Sequence, residues 1–168
     1  MRHLTKAALG IAAGVGLVLG MTTPASALVD YSYRVVNASK STYYTNFGQV
    51  VGSCKALTTG TTCTISKGKT ATRTIGTSLG YTRSGVAASL NMSSASSVTI
   101  SVSCTSPVLK AGQTFYAYPV GDRWSYRIKK DTIYSYTNTG TIYKTTTEYS
   151  NYLTAFNPYA SSIACRVG

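Results

Sequence analysis

Apolar and polar side chains alternate along much of this chain, a pattern typical of half-buried β-strands. In residues 29–36, for example, valines and tyrosines occupy every second position. β-branched and aromatic residues recur in short runs that are separated by Gly, Asn, Ser and Pro. The pattern predicts strands at residues 29–36, 49–55, 61–66, 70–79, 97–104, 114–120, 123–130, 131–136 and 141–149.

A helical pattern is found at residues 84–92, where Val86 and Leu90 lie four positions apart beside two alanines. Residues 138–140 (NTG) predict a hairpin turn, with the glycine in the left-handed position. No internal repeat or linker divides the chain. We therefore expect a mainly β fold, a single antiparallel β-sandwich-like domain with one short helix.

The predicted strand at residues 123–130 divides its side chains by chemical type, because successive residues of a strand point to opposite faces. One face is apolar and is expected in the core, whereas the other is cationic. The apolar side chains are Trp124, Tyr126 and Ile128, and the cationic ones are Arg123, Arg127 and Lys129. The cationic face is either an ordinary solvated surface or a docking surface for an acidic partner.

The N-terminus has the pattern of a secretory signal peptide. Arg2 and Lys6 precede an apolar run at residues 7–19, and the small-residue motif Ala25-Ser26-Ala27 follows. The apolar run is shorter than the roughly 20 residues of a spanning helix. We expect residues 1–27 to be removed and residues 28–168 to form the secreted, extracellular domain.

The composition of residues 28–168 argues against most kinds of catalytic and metal site. The only histidine, His3, lies in the predicted signal peptide, so histidine-based triads and the commonest zinc ligand are absent from the rest of the chain. The acidic residues there are Asp30, Asp122, Asp131 and Glu148. We expect no enzymatic activity, no bound metal and no cofactor.

Positive charge and tyrosine suggest contact with other molecules. Residues 28–168 hold fourteen basic and four acidic residues, a net charge of +10, which favours acidic partners. Nine of the fourteen tyrosines follow Gly112, and interfaces favour tyrosine. We predict that Arg123, Arg127, Lys129, Tyr134, Tyr136 and Tyr143 contact a partner protein. A nucleic acid partner is not expected, because the protein is exported and lacks an aromatic-basic signature motif.

All four cysteines lie in the exported part, where thiols tend to be oxidised. Four cysteines allow three pairings. We favour Cys54–Cys63, which would join two short strands across a turn, and Cys104–Cys165, which would attach the C-terminal segment to a central strand.

Three stretches of the chain resemble a group of small secreted actinobacterial proteins that includes the adaptor subunit of umbrella toxin particles. They are residues 79–90 (LGYTRSGVAASL), 96–107 (SSVTISVSCTSP) and 110–121 (KAGQTFYAYPVG). The resemblance implies a disulfide-containing β domain without a catalytic site. It also implies an adaptor that joins a lectin-like subunit to a large toxin-bearing subunit in an antibacterial particle.

Two other functions remain open. Residues 70–79 and 97–105 are Ser/Thr-rich and alternating, and they resemble the membrane-inserting hairpin of aerolysin-type pore formers. Transmembrane strands of about 9–11 residues would fit these lengths. The membrane is a partner only under this alternative. A secreted enzyme inhibitor is the third possibility, since small size and two disulfides fit one, although no reactive loop can be identified.

The predicted leader can be tested by the intact mass of the protein from culture supernatant. The mass should correspond to a chain that begins within a few residues of Leu28. A secreted chain that still carries Met1 would contradict the predicted removal of residues 1–27.

Overall fold

The computed structural model of the protein describes residues 27–168, so the predicted signal peptide lies outside the described residues except for Ala27. The fold is mainly β and antiparallel with one short helix, as predicted. The strands are β1 (Ala27–Thr45), β2 (Gly52–Lys55), β3 (Thr64–Ile65), β4 (Thr70–Thr72), β5 (Thr74–Ile75), β6 (Ser97–Thr99), β7 (Cys104–Thr105), β8 (Thr114–Tyr136), β9 (Ile142–Tyr149) and β10 (Leu153–Val167), and helix α1 (Arg83–Ser89) lies between β5 and β6.

β8 is the centre of a six-stranded antiparallel sheet. β1 and β2 lie along one edge of β8, β9 and β10 lie along the other, and β5 pairs with the outer edge of β10. The three strands predicted at residues 114–120, 123–130 and 131–136 are therefore one continuous strand. The predicted break at Gly121 was wrong. A Cβ there would lie 2.2 Å from the carbonyl oxygen of Asn157, so the glycine permits β10 to approach β8 closely.

The sequence pattern did not predict β10. A proline inside a run normally argues against a strand, because it cannot donate to the hydrogen-bond ladder. Pro158 is accommodated because the register with β8 is interrupted between Pro158 and Ile163. The proline therefore lies at an irregularity rather than inside a regular ladder.

Two small two-stranded sheets, β3–β7 and β4–β6, accompany the large sheet. Their strands are shorter than the predicted segments at residues 61–66, 70–79 and 97–104. Both predicted disulfides are present: Cys54–Cys63 connects β2 to the segment before β3, and Cys104–Cys165 connects β7 to β10. Loop-closure entropy gives about 3 and about 4 kcal/mol for the short and the long loop in a model-dependent estimate. The buried side chains around them are Ala56, Ile65, Leu109, Phe115 and Ala117.

Helix α1 covers part of one face of the large sheet. The Thr82 side chain accepts a hydrogen bond from the Gly85 N–H and so caps the helix. The helix ends at Ser89, before the predicted end at residue 92, because Asn91 adopts a left-handed φ of 52°. The second core cluster lies beneath the helix and contains Val86, Leu90, Trp124, Tyr126, Ile128 and Ala155, so the predicted apolar face of residues 123–130 is buried.

The hairpin between β8 and β9 has the predicted turn. The Gly140 N–H donates to the Tyr136 carbonyl at 2.8 Å, and Gly140 has a φ of 67°, the left-handed conformation that glycine adopts without strain. This turn forms the tip of the large sheet.

The close approach of β10 to β8 predicts that Gly121→Ala destabilises the protein. The added methyl would meet the backbone of Asn157, and relief of such overpacking typically costs about 1–3 kcal/mol. Ser125→Ala on the same strand is the control and should change stability by less than about 0.5 kcal/mol. Urea unfolding of both variants measures the difference in stability. Equal unfolding midpoints would contradict the close approach of β10 to β8 at Gly121.

Candidate partner-binding surface

The large sheet extends beyond the helix and the two small sheets. We call this part the distal end; it consists of residues 27–36 of β1, residues 127–136 of β8, and β9. At its inner margin, Tyr33, Val35 and Ile128 still pack into the core cluster beneath α1. β9 pairs with β8 and with no other described strand, and seven of its eight residues are exposed. Since successive residues point to opposite faces, exposure of nearly all of them means that neither face of β9 is covered.

Large apolar side chains are concentrated at this distal end. It holds seven of the thirteen large hydrophobic side chains that are exposed among residues 27–168. Val29, Tyr31, Tyr136 and Tyr143 share one face of the sheet, and grouped exposed apolar side chains mark interaction sites more often than scattered ones do. The seven are Leu28, Val29, Tyr31, Tyr136, Ile142, Tyr143 and Tyr149.

One face of the distal end, here the tyrosine face, consists of aromatic rings and lysines. Its side chains are Tyr31, Lys130, Tyr134, Tyr136, Tyr143 and Lys144. The rings of Tyr136 and Tyr143 lie 4.7 Å apart, centroid to centroid. The Lys130 ammonium lies 4.7 Å from the centroid of Tyr31, within the range of a cation–π interaction. These contacts hold the exposed rings in a defined arrangement.

The opposite face, here the arginine face, is organised around one carboxylate. Arg34 and Lys129 reach the same oxygen of Asp131 at 2.9 and 3.1 Å, and the Thr147 hydroxyl donates to its other oxygen at 2.5 Å. Thr147 and the two cations together lower the pKa of Asp131 from 3.8 to about 2, the hydroxyl having the largest effect. The carboxylate stays ionised well below neutral pH and joins β1, β8 and β9.

Arg127 is also held by its own chain. Its Nε donates to the Ser150 carbonyl at 2.7 Å. Its guanidinium lies 5.2 Å from the ring centroid of Tyr149 and 5.8 Å from that of Tyr152. The planar cation therefore stays at the surface between two exposed rings, an arrangement suited to contact with a carboxylate of another protein.

The structure separates the six predicted contact residues into two groups. Tyr134, Tyr136 and Tyr143 lie together on the tyrosine face. The three cations occupy odd-numbered positions of β8, whereas Tyr134 and Tyr136 occupy even-numbered ones, so the cations point to the opposite side. A flat partner surface cannot contact both groups at once, so the six do not form one continuous site.

Arg123 lies apart from the distal end, in an open cavity of about 190 Å³. The cavity is lined by Tyr44, Asn46, Thr74, Arg123, Thr154, Ala155 and Phe156. The Arg123 guanidinium lies 4.9 Å from the ring centroid of Tyr44. It forms no ion pair with any carboxylate of residues 27–168, which leaves its donors open to a ligand.

Three of the four carboxylates of residues 27–168 are each paired with a cation. Asp131 is described above, Asp122 lies 2.8 Å from the Lys40 ammonium and accepts from the Tyr159 hydroxyl, and Glu148 lies 3.9 Å from the Lys130 ammonium. Within residues 27–168, no three potential metal-ligating side chains cluster. In the same part of the chain, no helix is both long and apolar enough to cross a membrane.

Several residues of these surfaces were not predicted from the sequence. Tyr31, Arg34 and Lys144 come from strands that pair with β8, so their proximity to it depends on register. Alternation could have placed Tyr31 on one face of its own strand, but it could not identify the neighbour. Tyr149 comes from β9, and its contact with Arg127 likewise depends on register.

Comparison with known proteins gives no further identification of these surfaces. The chain matches no protein-family model, and no curated protein or solved structure is significantly similar to it.

The ion pairs of Asp131 predict an acid-dependent loss of stability. Its pKa is lower in the folded chain than in the unfolded one, so its contribution is complete above about pH 4 and is lost as the pH falls towards about 2. Asp131→Asn should be less stable than wild type at neutral pH, and the difference should shrink between pH 4 and pH 2. Urea unfolding across this range measures it. A difference that does not change with pH would contradict the role of the carboxylate.

Proposed function

We propose that the protein is a non-enzymatic, secreted binding subunit, an adaptor that links other subunits of an extracellular antibacterial toxin complex. The observation that best supports binding is the uncovered distal end, where exposed tyrosines and cations occupy both faces of a three-stranded sheet. The assignment to a toxin complex rests on the resemblance of residues 79–121 to umbrella-particle adaptors. That resemblance also suggests the partners, a lectin-like subunit and a large toxin-bearing subunit.

Physical reasons favour a protein partner at the tyrosine face. Rings that are already fixed by mutual contacts lose little conformational entropy on binding, and each buries a large area. Tyr136 and Tyr143 are 43% and 46% exposed, so about half of each side chain is already packed while the rest is available to a partner. Such partly packed aromatic residues are typical anchors of an interface.

An adaptor needs two separate binding surfaces, and the chain offers them. The tyrosine face supplies apolar area, whereas the Arg123 cavity supplies an unpaired cation in a polar setting. A partner carboxylate could enter the cavity and form a charge-assisted pair with Arg123. The net charge of +10 on residues 28–168 would attract acidic partners to either surface.

The pore-forming alternative receives less support. Its proposed hairpin, residues 70–79 with 97–105, is divided: β4 pairs with β6, β5 pairs with β10, and β7 pairs with β3. The disulfide from Cys104 to Cys165 also ties one side of that hairpin to the large sheet. Insertion would require these pairings to be broken. No described feature specifically favours an enzyme inhibitor.

The adaptor proposal is tested by purification of the protein with its partners from culture supernatant. Tyr136→Ser combined with Tyr143→Ser should raise the dissociation rate of one partner about 30-fold, because loss of an aromatic anchor costs about 2 kcal/mol or more. Leu57→Ser is the control, since Leu57 is 86% exposed and lies outside both surfaces. It should leave binding unchanged.

Arg123→Glu tests the second surface. It should raise the dissociation rate of a partner, because the charge-assisted pair in the cavity is lost, and it should also slow association more at low salt than at high salt. Arg127 and Lys129 are less suitable for charge reversal, since they also hold the fold together through Ser150 and Asp131. If the purified protein forms no complex but alone releases dye from liposomes, the pore-forming function would replace the adaptor.

A further inference from the structure

The first segment of β1 reads almost the same in both directions. Residues 28–36 are LVDYSYRVV, centred on Ser32. Tyrosines flank Ser32 on both sides, the next positions outward hold Asp30 and Arg34, and the outermost positions are aliphatic. The charged positions are therefore symmetric about Ser32, but one of them is acidic and its mirror position is basic.

This segment is an open and regular sheet edge. β1 pairs with β8 alone, so the other edge of residues 27–36 has no partner among the described residues. The register with β8 is continuous from Ala27 to Val36, and the irregularities of β1 occur only after Val36. Natural proteins usually protect such an edge with a bulge, a proline or a covering element, and an unprotected edge is a template for pairing with another strand.

We propose that a second copy of this chain pairs with the edge, antiparallel, about a two-fold axis at Ser32. Because directly opposed residues of an antiparallel pair point to the same face, every residue then meets a suitable partner. Asp30 lies opposite the partner subunit's Arg34, Tyr31 opposite the partner subunit's Tyr33, and Val29 opposite the partner subunit's Val35. Ser32 meets its own copy, and the two β8-centred sheets join into one.

The charges favour this register. Asp30 is the one acidic residue of residues 27–168 that forms no ion pair there; its only hydrogen bond comes from the neighbouring Tyr31 N–H. Arg34 is 59% exposed in its side chain and uses one nitrogen, Nη2, for Asp131. Its remaining donors can reach a second carboxylate. In the dimer, Asp30 of each subunit would pair with the partner subunit's Arg34, so two such ion pairs would form.

A second copy explains the sequence better than an unrelated strand does. An unrelated strand would require only an open edge, so the sequence of β1 would not need to be symmetric. An isologous contact instead requires that each position complement its mirror position, as it does here at four successive pairs. A register shifted by two residues would place Arg34 opposite Ser32 and leave Asp30 unpaired, so the charges select this register.

Charge exchange tests the dimer directly. Asp30→Arg places two arginines opposite each other at both ends of the contact, and Arg34→Asp does the same with two aspartates. Each variant should dimerise about tenfold more weakly than wild type in sedimentation equilibrium, since opposed like charges are destabilising. An equimolar mixture should recover dimers, because both mixed pairs are again Arg with Asp.

Cysteine cross-linking checks the register independently of charge. Ser32→Cys should form an intermolecular disulfide under mild oxidation, because the axis places the two side chains next to each other. Leu28→Cys is the matched control on the same face and should not cross-link, since it lies opposite the partner subunit's Val36. A wild-type protein that stays monomeric into the millimolar range, a mixture that does not recover dimers, or equal cross-linking of both variants would overturn the proposal. Thermal unfolding of each variant, above all of Arg34→Asp, which also loses the ion pair with Asp131, shows whether the fold is retained.

Discussion

The structure depends on the pairing of one long strand along both of its edges. β8 runs from Thr114 to Tyr136 and hydrogen-bonds to four other strands, β1 and β2 from before it in the chain and β9 and β10 from after it. Its alternating side chains place Trp124, Tyr126 and Ile128 in the core beneath α1. Both disulfides join segments that pair with β8 or pack beside it. Cys104–Cys165 spans 61 residues and restricts the unfolded chain between distant segments, whereas Cys54–Cys63 closes a short loop.

The same strand creates the surface for which a function is proposed. β8 is longer than the layer formed by α1 and the two small sheets. Its C-terminal part and the paired segments of β1 and β9 therefore extend beyond that layer. A sheet of this kind gains little from hydrophobic burial on its own, and here ion pairs at Asp131 and cation–π contacts at Lys130 and Arg127 order it. Exposed tyrosines held in this way are ready to bind, which is the property an adaptor requires.

Strand periodicity accounted for the mainly β fold, the buried face of residues 123–130, the hairpin turn and both disulfide pairings. It did not predict β10, because Pro158 argues against a strand in the sequence pattern. The irregularity that accommodates this proline is defined only by the pairing of β10 with β8. Periodicity likewise divided β8 at Gly121, since a glycine suggests a break where the structure needs close approach. The predicted contact residues fall on two opposite faces, because the sequence pattern divided β8 between residues 130 and 131 and so did not carry one alternation through both groups.

Hydrogen exchange of the complex captured from culture supernatant, compared with the free protein, tests the central claim most directly. If the distal end is the binding surface, amides of residues 130–136 and 142–149 should gain protection. Amides of α1, which lies outside it, should exchange at unchanged rates. Protection confined to α1 or to the two small sheets, with none at the distal end, would contradict the account.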